Sequence, residues 1–308
     1  GNSSFVLNAF GSNRINQGAD ISDATFRGSA VLEGSGALGA VVKVTDSANG
    51  NSFDMYSGSA LKDIDTTIFF FFFHRKTAAA KWFALLGIQN TDSSATADVT
   101  LVFRTPGVAA PAATITGISI PPQSTYYLNT QTSTLPEVTG LGDWKGSVEA
   151  TATNGVKLAG NSIQFNTNNL TKGLHNALTT SEQANKFYLP LMHSQGSQTP
   201  GFIGWLGWLA ILNPTGTDIT VDIALNGTNL ATNSPLNTTV NNLLVPANSL
   251  VEFQASQAPA IGATTRWKGS VVVTGDSGAT FYAEMTNARL LGAGKTNVYY
   301  LYKGLQSG

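Results

Sequence analysis

The chain has 308 residues, no cysteine, only 11% charged residues and a net charge of −1. That length accommodates two or three domains with buried cores, and the missing cysteines exclude both a disulfide framework and thiolate chemistry. So weak a charge produces little long-range field, which excludes electrostatic capture of nucleic acid or of an anionic membrane surface.

The chain opens Gly1-Asn2-Ser3-Ser4 without a basic region or an initiator Met, and reads as a mature segment rather than a full precursor. Ser4-Phe5-Val6-Leu7-Asn8 predicts a first strand and residues 41–44 a later one. Residues 68–74 open the next group with Phe69 to Phe73, five phenylalanines in a row. In a strand, Phe69, Phe71 and Phe73 face one side and Phe70 and Phe72 the other, so both faces must be buried. Left in water, such a segment would be an aggregation hazard. A central strand, a strand held at a module junction and a strand covered by a neighbouring subunit all satisfy that demand.

Residues 97–103 alternate apolar and polar, as do residues 219–225, which predicts half-buried strands. Further strands are expected at residues 126–129, 147–152, 187–191, 250–253 and 270–274. Turn residues separate them at Pro121-Pro122, Asn154-Gly155, Asn226-Gly227 and Gly275-Asp276. Short turns are expected at residues 77–81 and 180–185. The apolar stretch 201–212 is shorter than the roughly 18 residues of a membrane helix, so the chain is not expected to span a membrane. The last strand predicted is Val298-Tyr299-Tyr300-Leu301-Tyr302, which resembles residues 187–191.

These elements repeat. Trp144-Lys145-Gly146-Ser147-Val148 returns as Trp267-Lys268-Gly269-Ser270-Val271, and Ile88-Gln89-Asn90 as Ile211-Leu212-Asn213, both at an offset of 267 − 144 = 123. Phe26-Arg27-Gly28-Ser29 is an earlier copy, and Ser4-Phe5-Val6-Leu7-Asn8 matches residues 125–129. Many short strands with regular turns, repeated at this spacing, predict an all-β chain of tandem immunoglobulin-like β-sandwich modules, the first one incomplete. The expected boundaries are an incomplete module at residues 1–66, full modules at 67–186 and 187–297, and a C-terminal strand at 298–308.

Nothing in the sequence forms an active site. His74 and His193 sit in register in successive modules, which suits a structural role better than catalysis. Three histidines without cysteines or paired carboxylates do not form a zinc site, and Asp54, Asp63 and Asp65 lack the spacing of a calcium loop. There is no nucleophile elbow, phosphate-binding loop or dinucleotide fingerprint. No catalytic, cofactor-binding or metal-binding residue is assigned, and an enzyme is not expected. Trp82, Trp205, Trp144 and Trp267 are repeat equivalents and read as core aromatics. Trp208 has Leu85 as its counterpart. With Phe69, Phe71 and Phe73 it is a candidate interface or ligand aromatic.

The modules resemble a secreted repeat of Chloroflexota and similar bacteria, through Tyr188-Leu189-Pro190-Leu191, Ile88-Gln89-Asn90, Pro121-Pro122-Gln123-Ser124, Gly28-Ser29-Ala30-Val31 and Ala40-Val41-Val42. The chain departs from that pattern at Phe69 to Phe73. The resemblance implies a location outside the cell or on its surface and carries no catalytic residues.

The leading expectation is a structural subunit of an extracellular homopolymer, a filament, sheath or surface layer. Its copies would join head to tail as the strand at Val298, Tyr299, Tyr300, Leu301 and Tyr302 completes a neighbour's first module beside Phe5, Val6 and Leu7. The alternatives are a carbohydrate-binding or adhesive array presenting Trp208, Tyr126 or Tyr282 to polysaccharide, and a fragment of a longer surface repeat protein.

Overall fold

Alternating apolar residues bounded by turn residues produce short antiparallel strands in nearly every predicted place. The computed structural model describes residues 4–8, 12–15, 30–45, 53–59, 63–78, 81–167, 172–195, 204–290 and 298–306. Two units are distinguished, residues 1–32 and 33–308. In the first, the described residues form no helix or strand, and Phe5, Val6 and Leu7 are exposed. The strand expected at residues 4–8 is therefore not formed. Its counterpart at residues 125–129 is held by pairing to residues 85–89, and the sequence before residue 67 contains no copy of that partner strand.

The second unit opens with an antiparallel hairpin, β1 (Val41–Thr45) and β2 (Phe53–Ser57). Two nine-stranded antiparallel assemblies follow, with the same strand order. The first contains β3 (Thr67–Lys76), β4 (Trp82–Asn90), β5 (Ala97–Arg104), β6 (Pro111–Ile120), β7 (Thr125–Asn129), β8 (Trp144–Ala152), β9 (Leu158–Asn166), β10 (Lys172–Asn176) and β11 (Leu178–Thr179). A one-turn helix, α1 (Pro136–Thr139), leads into β8. The second contains β12 (Lys186–Gln195), β13 (Gly204–Asn213), β14 (Ile219–Asn229), β15 (Ser234–Val245), β16 (Ser249–Phe253), β17 (Arg266–Gly275), β18 (Tyr282–Leu290), β19 (Val298–Lys303) and β20 (Leu305–Gln306).

In each assembly the opening strand belongs mainly to one layer, β6-β5-β8-β3-β11 or β15-β14-β17-β12-β20. Its far end also pairs with the second layer, β7-β4-β9-β10 or β16-β13-β18-β19. Between the layers lies a closed apolar core. The first holds Phe70, Phe73, Leu86, Leu101, Phe103 and Trp144, and the second Leu189, Met192, Ile211, Ile223, Trp267 and Phe281. Trp144 and Trp267 thus fill cores as expected. Trp82 and Trp205 do not: both are half-buried and lie against His74 and His193, with ring centroids 5.6 and 5.3 Å apart.

The shared strand order reassigns the C-terminal strand. β19 pairs with β18 as β10 pairs with β9, and β20 pairs with β12 as β11 pairs with β3. Val298–Lys303 is thus the closing edge strand of the second sandwich, not the opening strand of another module. The likeness to residues 187–191 reflects only a shared strand composition rich in aromatic residues and leucine. The final residues of the sandwich are accordingly 298–306, beyond the boundary expected at 297.

Two repeat motifs acquire physical causes. Trp267 folds its ring over Gly269, where an added Cβ would lie 2.4 Å from Trp Cζ2, and over Gly227 of β14, where it would lie 2.7 Å away. Trp144 lies over Gly146 in the same way, again 2.4 Å from a Cβ. Asn226-Gly227 is therefore mid-strand rather than a turn: the glycine admits the indole, and the chain reverses at residues 230–233. In the second motif, Asn90 Nδ2 donates to the carbonyls of Ala95, Ile120 and Pro121, and Asn213 Nδ2 to those of Thr217, Val245 and Pro246. Each amide pins its strand end to the proline turn and is fully buried. Replacing Asn213 with alanine leaves buried carbonyls without a donor, and about 2 kcal/mol of stability is expected to be lost. Urea unfolding measures that loss directly.

Candidate interface between the sandwiches

The phenylalanine run is explained by a change of face within β3. Ile68, Phe70 and Phe73 enter the core of their own sandwich. Phe69, Phe71 and Phe72 turn outward and form a separate apolar cluster with Leu178 of β11 and with Ala210, Leu212, Leu250 and Tyr282 of the second sandwich. Strict alternation would place Phe73 with Phe69 and Phe71. A register shift between Phe70 and Phe73, with Phe72 at φ 50°, puts two consecutive side chains outward and returns Phe73 to the core. Phe73 is thus a core residue, 6.2 Å from the Phe103 ring, and not an interface aromatic.

Of the expected interface aromatics, Phe69 and Phe71 are placed at the junction, 7% and 0% exposed. Their rings lie 5.3 and 6.2 Å from that of Tyr282. Trp208 is half-buried against the same cluster. Tyr282 is fully buried, and its hydroxyl donates to the Thr179 carbonyl at 3.0 Å. Tyr126 is half-buried against the first core. Neither tyrosine is presented as a sugar-stacking platform. Val298, Tyr299, Tyr300, Leu301 and Tyr302, expected at an intersubunit contact, lie in β19, paired to residues 285–289 of their own chain.

Polar contacts rim the cluster. Lys145 of β8 forms an ion pair with Glu252 of β16. The Gly107 N–H donates to the Leu250 carbonyl at 2.8 Å. Lys303 of β19 reaches Glu182 at 2.6 Å, beside the 3-10 turn Thr180–Glu182 that links the sandwiches. Asp65 accepts from the Thr180 N–H and hydroxyl and from Lys157, so this candidate calcium carboxylate is occupied in clamping the linker. The side chain of Asp54 lies outside the described residues. Outer layer one of the first sandwich therefore packs on outer layer two of the second. Sequence alternation alone did not show this partner surface. The signal for it was the unbroken apolarity of residues 205–212, which needs burial on both faces.

Two titratable groups are trapped here. His175 of β10 is 3.6 Å from Glu284 of β18, with side chains 5% and 1% exposed. Burial pushes the Glu284 carboxyl up to about 8, helped by Glu182 and opposed by Lys303. Burial, with Lys303 adding, holds His175 down to about 4. The folded Glu284 value lies above the ordinary 4.5, so the folded state retains a proton that the unfolded chain releases, and stability falls as pH rises through that window. His175 has the opposite sign: its stability is lost as pH falls from 6.5 toward 4. From pH 6.5 to 8 only the carboxyl acts, and about 2 kcal/mol of stability is expected to disappear. Glu284→Gln is expected to flatten that fall in thermal melts taken across the same range, whereas an unchanged slope contradicts this assignment.

No family model and no curated protein matches the chain. Among solved structures, one match is to the crystal structure of Thermotoga maritima 1070, at 10% identity and a TM-score of 0.29, covering 40% of this chain and 95% of that one. Among the described residues no helix is long and apolar enough to cross a membrane.

Proposed function

We propose that the protein is a structural subunit of an extracellular homopolymer (a filament, sheath or surface layer), built from immunoglobulin-like modules joined head to tail. The observation that carries this reading is the placement of its exposed apolar side chains. Phe5, Val6, Leu7, Ile15, Val31 and Leu32 are exposed in residues 1–32, and Leu38, Val41, Val42, Val108, Tyr188, Leu244 and Leu305 in residues 33–308. Exposed apolar side chains on different parts of one chain favour an unlike-patch contact, which does not close on itself and propagates as a polymer.

Strand complementation belongs to the same reading. Among the described residues β1 and β2 pair only with each other, and a two-stranded hairpin leaves edges that accept a further strand. In the chain by itself β19 completes its own sandwich, so its donation to a neighbour takes the form of an exchange between copies. The low charge and uncharged polar composition support a place outside the cell. Negative-stain electron microscopy of the concentrated full chain tests the proposal: extended or sheet-like polymers are expected, and uniformly dispersed particles at every concentration overturn it.

A further inference from the structure

Superposed by strand order, the two sandwiches present the same outward face in opposite states. In the first, the outward positions of the opening and closing strands are Phe69, Phe71 and Leu178, which are 7%, 0% and 4% exposed because the second sandwich covers them. The pairing registers make Tyr188 the counterpart of Phe69, Pro190 of Phe71 and Leu305 of Leu178. Tyr188 is 41% exposed, Leu305 is 65% exposed, and Pro190 is exposed. Lys268 likewise takes the position of Lys145, whose ammonium is paired across the junction, and is itself exposed. Lys186 lies over the Tyr188 ring at 5.3 Å, as a basic rim to the patch.

We infer that this face, centred on Tyr188, Pro190 and Leu305, docks a second copy of the chain through the outer face of that copy's N-terminal sheet, β1 and β2. The junction between the two sandwiches is the template. There the covering layer supplies Ala210 and Leu212 of β13, Leu250 of β16 and Tyr282 of β18, the strand paired to β19, and β19 lies against β10. The hairpin β1-β2 lies one step back along the same series, with β2 against β10, and its Val41 is 71% exposed. A surface that buries itself wherever the chain supplies a cover, and is bare where it does not, has its partner defined by the repeat. Burying such side chains removes apolar area from water, which stabilises by about 25 cal/mol per Å². This inference rests on the homopolymer reading and specifies which face carries it.

Sedimentation velocity of the full chain over a wide concentration range tests it, with wild type beside Leu305→Glu and Tyr188→Glu. Both side chains are solvent-facing and on different strands, and circular dichroism melts check that each variant folds. The expected result is concentration-dependent association of wild type, weakened about 100-fold by either substitution, since each places an unpaired carboxylate in the contact. Because the chain has no cysteine, Val41→Cys and Leu305→Cys chains can also be mixed and joined by a short bis-maleimide. A product containing one of each is expected, and its absence overturns the inference. Wild-type association that both glutamates leave unchanged overturns the docking face while the polymer stands. Wild type that stays monomeric throughout overturns both.

Discussion

Phe71→Ala is expected to uncouple the two sandwiches. Phe71 is fully buried yet touches little of its own core, since its cluster is formed with Leu178 and with Ala210, Leu212, Leu250 and Tyr282 across the junction. Truncating a buried phenylalanine costs about 3–5 kcal/mol, and here the loss falls on the contact between two units that each have a closed core. Differential scanning calorimetry should therefore resolve one cooperative transition into two, with the less stable sandwich melting roughly 10 °C earlier. A single transition, shifted or not, would mean that the junction is held by its polar rim. Phe73→Ala provides the contrast. It removes a ring packed near Phe103, and it should lower the first sandwich alone while leaving the junction intact.

Gly269→Ala is the second large effect. A Cβ there would stand 2.3 Å from the Asn226 carbonyl oxygen, 2.4 Å from Trp267 Cζ2 and 2.6 Å from Gly227 Cα. Two of those three atoms are backbone of β14, and the indole is fixed by its own bond to the Leu236 carbonyl at 2.9 Å. Nothing flexible can give way, so β14 must part from β17 or the tryptophan must leave its core. A loss of more than about 3 kcal/mol is expected. Hydrogen exchange should show it as lost protection in residues 221–229 and 267–275, which pair across those strands. Near-wild-type protection would contradict the account of the Trp-Lys-Gly motif.

Those two residues also mark how much of the structure the sequence disclosed. The strands at residues 97–103, 219–225 and 270–274 were visible from alternation, because each has one face on a core and one in water. The repeat announced that two units would share a design, and they do, down to the bulge between Phe70 and Phe73 and between Leu189 and Met192. The bulge itself was not visible, since nothing in five identical residues shows where the face changes, and so Phe73 was placed on the wrong side. Gly227 looked like a turn because Asn-Gly is a strong local signal. A tryptophan 40 residues away decided otherwise, and local patterns carry no information about such a partner. The role of β19 was misread for a related reason: composition identifies a strand, but only pairing identifies its place in a sheet.

The candidate interface was half legible. The phenylalanines demanded burial on both faces, and a module junction was among the ways to supply it. The receiving surface came from Trp208, Ala210 and Leu212 on β13, Leu250 on β16 and Tyr282 on β18, three strands that only the folded sheet brings side by side. The pair His175 and Glu284 was invisible for the same reason, since the two residues belong to different sandwiches.

Electron cryo-microscopy of the assembled material tests the central claim most directly. The proposal predicts an ordered polymer of this chain in which Tyr188, Pro190 and Leu305 of one copy are covered by the N-terminal sheet of the next. Isolated particles with that face bare, under conditions where the chain is folded and concentrated, would contradict it.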